Sequence, residues 1–157
     1  EAVRKTGMNL RIAGTGAWTK EMEAEIADLP NVEYLGFVSG ASLRRLVAGA
    51  RAVVVPSEWY ENCPMSVLEA KAVGTPVIGA RIGGIPELVR DGQDGFLFKA
   101  GDSDDLASAL EALEGADGGA LGAAAKADVA RRFSPEAHLA ALMDIYEGVG
   151  ADVGGGN

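Results

Sequence analysis

The sequence has little sulfur and little imidazole: one cysteine, Cys63, and one histidine, His138, in 157 residues. A lone cysteine closes no intramolecular disulfide, and the two residues together lack the ligand spacing of a structural zinc site. No metal is expected, and a reducing compartment suits the chain. Positive charge is also scarce, with 14 Lys and Arg against 23 Asp and Glu and a net charge of −9. A nucleic-acid partner is disfavoured, because neutralising phosphates takes basic patches. Any anionic ligand must then be held by local features. Long apolar runs are missing too: no segment approaches the roughly 18–20 uninterrupted residues of a membrane helix. The opening EAVRKTGMNL does not have the basic-then-apolar layout of a signal peptide.

What the chain does have is globular composition, 48% apolar and 24% charged, enough for one packed core. Short apolar runs alternate with longer amphipathic ones, the order of a parallel sheet covered by helices. Strands are expected at 10–13, 32–35, 52–55, 76–79 and 95–98. Helices are expected at 20–29, 41–48, 64–73, 85–90, 104–113, 118–132 and 135–148. Ser134-Pro135 places a capping serine before a first-turn proline, and Gly74 stands where a helix ending at Val73 should close. The expected organisation is one α/β domain over residues 1–150 and a flexible tail over 151–157. The chain lacks an initiator Met and opens like a helix end before a strand, so it is expected to be part of something longer.

Open parallel sheets bind ligands at the carboxyl ends of their strands. Of the segments leaving those ends, GTG at Gly14–Gly16 reads equally as a plain turn or a ligand loop, since the full G-x-G-x-x-G is absent and Thr19 stands at its last position. The segment PSEWYENCPMSVLEA carries more information. Asn62 is a candidate cap and Pro64 a first-turn residue, which would leave N–H groups at Cys63, Met65 and Ser66 facing the cleft at a helix N-terminus. That arrangement suits a phosphate or a sugar hydroxyl. Glu61 and Glu69 form E-x₇-E across this start; carboxylates accept paired hydroxyls well, although two exposed glutamates would show the same spacing.

The stretches NVEYLGFVS, VVVPSEWYENCPMSVLEAKAVGTPVIG, GGIPELVRDGQDGFLF and GDSDDLASALEAL, in this order, resemble the C-terminal nucleotide-sugar-binding domain of family 4 (group 1) glycosyltransferases. The resemblance implies a Rossmann-like parallel sheet flanked by helices on both faces, one half of a GT-B enzyme. It implies that Glu61 lies against the donor sugar at the anomeric region as the catalytic residue, and that Glu69 holds the ribose hydroxyls. By the same resemblance, Asn62, Cys63, Pro64, Met65 and Ser66 line the sugar and diphosphate. Phe37 and Val38 grip the base, and Gly14 and Gly16 match the glycine loop near the phosphates. Two features depart from the family. Asn62-Cys63-Pro64 replaces a common Gly-Phe-Gly, and the upstream Arg and Lys that pair with the diphosphate have no counterpart. Arg81 is the best local substitute for that charge.

The implied function is that of a donor-binding domain. The whole enzyme would transfer sugar from a nucleotide diphospho-sugar, with retention, to a glycan, lipid or small-molecule acceptor bound by an N-terminal domain absent here. The isolated domain would be inactive alone and needs no cofactor beyond that co-substrate. A non-catalytic nucleotide-sugar-binding or interaction module and a sugar-nucleotide epimerase remain alternatives. Cytoplasmic location is expected, with peripheral association at the inner membrane open for the whole enzyme. Among the remaining signals, GDSDDL reads as a helix start capped by Asp102 or Ser103 rather than a calcium loop. His138 reads as packing or surface, and Cys63 as an unactivated thiol. Glu87 reads as serving its own helix start and Gly83 and Gly84 as permitting close backbone approach to a donor, with structural and binding roles equally open.

Overall fold

The computed structural model describes residues 1–152, with side chains through residue 150. Five strands alternate with helices: α1 (Ala2–Thr6), β1 (Leu10–Ile12), α2 (Thr19–Ile26), β2 (Val32–Tyr34), α3 (Gly40–Ala48), β3 (Val53–Val55) and α4 (Met65–Ala72) lead the chain. β4 (Val77–Ala80), α5 (Ile85–Leu88), β5 (Gly95–Phe98), α6 (Ser103–Gly115), α7 (Gly118–Arg132) and α8 (Pro135–Asp152) follow. Every pairing is parallel. The ladder comes in two pieces, β1–β2 and β3–β4–β5, rather than one continuous sheet.

β4 is buried along its whole length, as a parallel strand covered on both faces should be. Its side chains alternate between two cores. Ile78 and Ala80 join Phe98, Leu110 and Leu113 under α6, while Val77 joins Val55, Val67, Ile85 and Val89 under α4 and α5. Helices therefore cover both faces, as expected. α1 packs on α6, where Lys5 pairs with Asp104 and Ser103 Oγ donates to Glu1 Oε2 at 3.1 Å.

The expected caps at three helix ends form. Asp102 accepts from the N–H groups of Asp104 and Asp105, Ser134 Oγ accepts from Ala137, and α4 closes on Gly74. Gly74 sits at φ 84° and donates to Lys71 O, while Thr75 donates to Ala70 O, the paired bonds of a Schellman turn. Elsewhere the boundaries differ. α5 stops at Leu88 instead of Arg90, because Val89 is extended and the Arg90 N–H goes to Asp94 Oδ1. α8 runs to Asp152 rather than ending at Gly148, so the expected tail overlaps it by two residues, and residues 153–157 lie outside the described part. None of residues 135–150 is buried: Leu139, Ile145 and Tyr146 are exposed, as is His138. No helix among the described residues is long and apolar enough to cross a membrane.

Candidate functional site

The segment from Pro56 to Pro64 leaves the carboxyl end of β3 and climbs to α4. Pro64 occupies the capping position itself, at φ −66° and ψ 109°, so Met65 is the first helical residue and no side chain caps it. Asn62 is therefore not the cap. Its backbone is held elsewhere: Gly84 donates to Glu61 O at 2.7 Å, and the Gly83–Gly84 pair lies flat against Glu61–Asn62. A Cβ on Gly84 would sit 1.9 Å from Asn62 O, and one on Gly83 2.5 Å from Glu61 O. These glycines thus serve a close approach to the chain's own loop, the structural one of the two roles the sequence leaves open.

The Glu61 carboxylate is half-buried and accepts from Ser57 Oγ at 2.9 Å. Ser57 was not anticipated, though it stands four residues before Glu61 in the same segment. Beyond it the N–H groups of Cys63, Met65 and Ser66 find no acceptor among the described residues, and Pro64 has none to offer. Met65 and Ser66 open an eight-residue helix, so the positive end of its dipole backs them. Trp59, Tyr60 and Met65 stand exposed beside this mouth.

Glu69 lies one turn along α4, exposed, and faces a cleft of about 800 Å³ between α3 and α4. Gly40, Leu43, Arg44, Arg45 and Val73 share its lining, whereas Glu61, Phe37 and Val38 do not. Phe37 is exposed just ahead of α3 and Val38 half-buried behind it. Arg44 and Arg45 are the cations the sequence reading missed. They stand four and five residues into α3 from Gly40, a spacing that puts them on the wall toward α4. Arg45 donates to Ser42 Oγ at 3.2 Å, and Arg44 makes no ion pair among the described residues.

The glycine loop after β1 is more self-contained than expected. Gly14 donates to Gly36 O at 2.7 Å and Gly16 to Thr19 Oγ1 at 2.9 Å, so both N–H groups are spent inside the protein. Tyr34 Oη also ties the loop to β2 by donating to Gly14 O at 2.8 Å. Gly14 and Gly16 shape a smaller opening of about 350 Å³ beneath Trp18. Arg81 is likewise committed, to Asp91. Among the described residues no group of His, Cys, Asp and Glu is arranged to hold a metal ion.

The model of the family "Glycosyl transferases group 1" matches residues 1–115, most of the chain and all of the strands described above. The chain belongs to the group 1 glycosyltransferases. Within that family it is 35% identical over 141 residues to a D-inositol 3-phosphate glycosyltransferase of Mycobacterium marinum, covering 85% of this chain and 30% of the relative. It is 36% identical over 103 residues to the sulfoquinovosyl transferase SQD2 of Arabidopsis thaliana, covering 64% of this chain and 20% of that one. The chain thus spans about a third or less of the length of these glycosyltransferases. Among solved structures it superposes on Anabaena Alr3699/HepE in complex with UDP at a TM-score of 0.77, with 26% identity over 96% of this chain and 43% of that one. The same protein in complex with UDP-glucose matches at 0.73 and 27% identity, over 91% of this chain and 41% of that one. The α/β Rossmann-like half of a GT-B glycosyltransferase is the fold seen here.

Proposed function

We propose that residues 1–150 are the donor-binding half of a glycosyltransferase that transfers sugar from a nucleotide diphospho-sugar. The observation that carries this reading is the pairing of two features of α4: an N-terminus with unspent N–H groups and a carboxylate one turn further on that opens into a cleft. A nucleoside diphosphate needs both. Its phosphates bind backbone N–H groups backed by a helix dipole, and its ribose offers vicinal hydroxyls to a carboxylate. The complexes of HepE with UDP and UDP-glucose support a uridine donor.

In this arrangement Glu69 accepts from the ribose hydroxyls, and Arg44 lies along the cleft wall as a cation for the nucleotide. Cys63, Met65 and Ser66 donate to the diphosphate. Glu61, its carboxylate fixed by Ser57, lies against the donor sugar. As the glycosidic bond breaks, negative charge grows on the departing diphosphate. Fixed N–H donors at a helix start stabilise that charge without reorganising. Retention of anomeric configuration is the stereochemical outcome we assign, with the acceptor supplied from outside this chain.

Calorimetric titration of the chain with UDP, GDP and ADP and their glucose derivatives tests the reading. UDP and UDP-glucose are expected to bind, and Glu69→Ala to weaken both. Absence of binding by all six, or affinities that Glu69→Ala leaves unchanged, overturns it.

A further inference from the structure

Behind the cleft, on the opposite side of α4 from Glu69, lies a fully buried ionic cluster. Lys71 has no exposed surface and its Nζ sits 2.9 Å from Asp128 Oδ2 and 3.2 Å from Asp94 Oδ2, both carboxylates being equally enclosed. Nζ also donates to the carbonyl of Leu88, the last residue of α5. Three elements therefore meet on one ammonium: α5 through Leu88, the turn before β5 through Asp94, and α7 through Asp128. Arg90 closes the outer side on Asp94 at 2.7 Å, and Arg131 and Arg132 reach Asp128 at 3.1 and 3.3 Å.

A buried ion pair is a poor source of stability, since removing its charges from water offsets most of the attraction between them. Placement is a better account of it. α5 is only four residues long and is gripped at both ends: Leu88 O is held by Lys71, and Gly84, just before its first turn, donates to Glu61 O at 2.7 Å. Moving α5 moves Gly84, and the close fit of Gly83–Gly84 on Glu61–Asn62 leaves no slack between them.

We infer that Lys71, with Asp94 and Asp128, is a positioning residue for Glu61, acting through α5 and Gly84. The proposal rests on the donor-binding reading above for its functional consequence, but the mechanical link exists without a ligand. Glu69 stands on α4 itself, so the cluster governs the sugar end of the site more than the nucleoside end.

The charge-neutral double variant Lys71→Met/Asp128→Leu, made in the full chain, tests this. It removes the ammonium and one carboxylate together and leaves Asp94 with Arg90, so that no unpaired charge remains inside. Hydrogen exchange followed by NMR is expected to show the Gly84 amide exchanging about tenfold faster relative to Ile78 of β4. Calorimetry is expected to show UDP-glucose losing about fivefold more affinity than UDP. A purely stabilising cluster would instead shift all core amides together and leave the ratio of UDP to UDP-glucose affinities unchanged; either result refutes the inference. Should the double variant fail to fold, Asp128→Asn, which keeps an acceptor oxygen toward Lys71, is read by the same two measurements. If the parent binds neither ligand, the functional reading fails, and the Gly84 exchange still decides whether the link is real.

Discussion

Gly84→Ala isolates the contact between α5 and the Glu61 loop. Gly84 sits at φ −80° and ψ −5°, a conformation alanine adopts freely, so the substitution introduces no backbone strain. What it introduces is a methyl group 1.9 Å from Asn62 O, 2.9 Å from Asn62 C and 3.3 Å from Glu61 O. The two backbones must part by about 1.5 Å to reach ordinary contact. That separation breaks the Gly84 N–H bond to Glu61 O, worth about 1 kcal/mol, and adds about 1–3 kcal/mol of overpacking. The expected destabilisation is about 2–4 kcal/mol, which in urea lowers the midpoint by about 1–2 M at a slope of about 2 kcal/mol/M. Gly115→Ala is the control: it lies in α6 with nothing within 4 Å, and alanine there is neutral or stabilising by up to about 1 kcal/mol. A Gly84→Ala midpoint equal to that of the parent would show that the loop yields freely, and the coupling from α5 to Glu61 would fall with it.

Glu69→Ala is expected to leave the urea midpoint unchanged, because the side chain is exposed, while UDP affinity drops about ten- to hundredfold for the loss of a charged hydrogen-bond acceptor. Arg44→Ala is expected to weaken UDP binding and flatten its dependence on salt, measured by calorimetry between low and physiological ionic strength; an unchanged salt slope would remove Arg44 from the nucleotide wall. Asp117→Ala deletes the side chain that accepts from the Gly119 and Ala120 N–H groups at the start of α7, and should cost about 1 kcal/mol in urea unfolding. Burial pushes the Asp128 carboxyl upward, but the hydrogen bond and charge of Lys71, with Arg132 and Arg90, outweigh it and hold the group below its ordinary value of 3.8. Its contribution to stability is therefore complete above that value and is lost as the pH falls through the lower folded one. Melting temperatures from pH 7 to pH 3 should fall less steeply for Asp128→Asn than for the parent, and equal slopes would contradict this.

The order of elements was open to sequence reasoning because each layer leaves its own period. AVVV and PVIG are short runs with no polar alternation, as in strands buried on both faces, and 118–132 carries a helix with the bounds the structure shows. Caps were equally legible where one side chain decides them, as at Asp102 and Ser134. The site was less so. E-x₇-E named Glu61 and Glu69, yet spacing along a chain does not say which carboxylate is bonded by Ser57 and which opens on a cleft. Asn62 looked like a cap because of its residue type, but the helix starts two residues later than that requires, with Pro64 at the capping position, and the Glu61 carbonyl just before Asn62 is taken by Gly84, a neighbour distant in sequence. The sequence leaves the glycine loop open between a turn and a ligand loop, since its N–H groups have partners in Gly36 and Thr19 that only folding brings within reach.

The buried cluster did leave a mark in the sequence, one that hydrophobic counting passes over. Along α4 the buried stripe runs Val67, Ala70, Lys71, and along α7 it runs Leu121, Gly122, Ala125, Asp128, each at helical spacing. A cation in the apolar stripe of one helix and an anion in that of another must either meet or leave two charges unpaired in the core, and only the first is compatible with a stable fold. Lys71 also stands two residues past Glu69, about 200° around the helix axis. A helix that shows a carboxylate to a ligand cleft on one side must face the core on the other. The one charged residue on that core side is where the position of the ligand-facing side is set. The pattern is therefore a signal for placement, and the Gly84 exchange experiment measures whether that placement extends as far as Glu61.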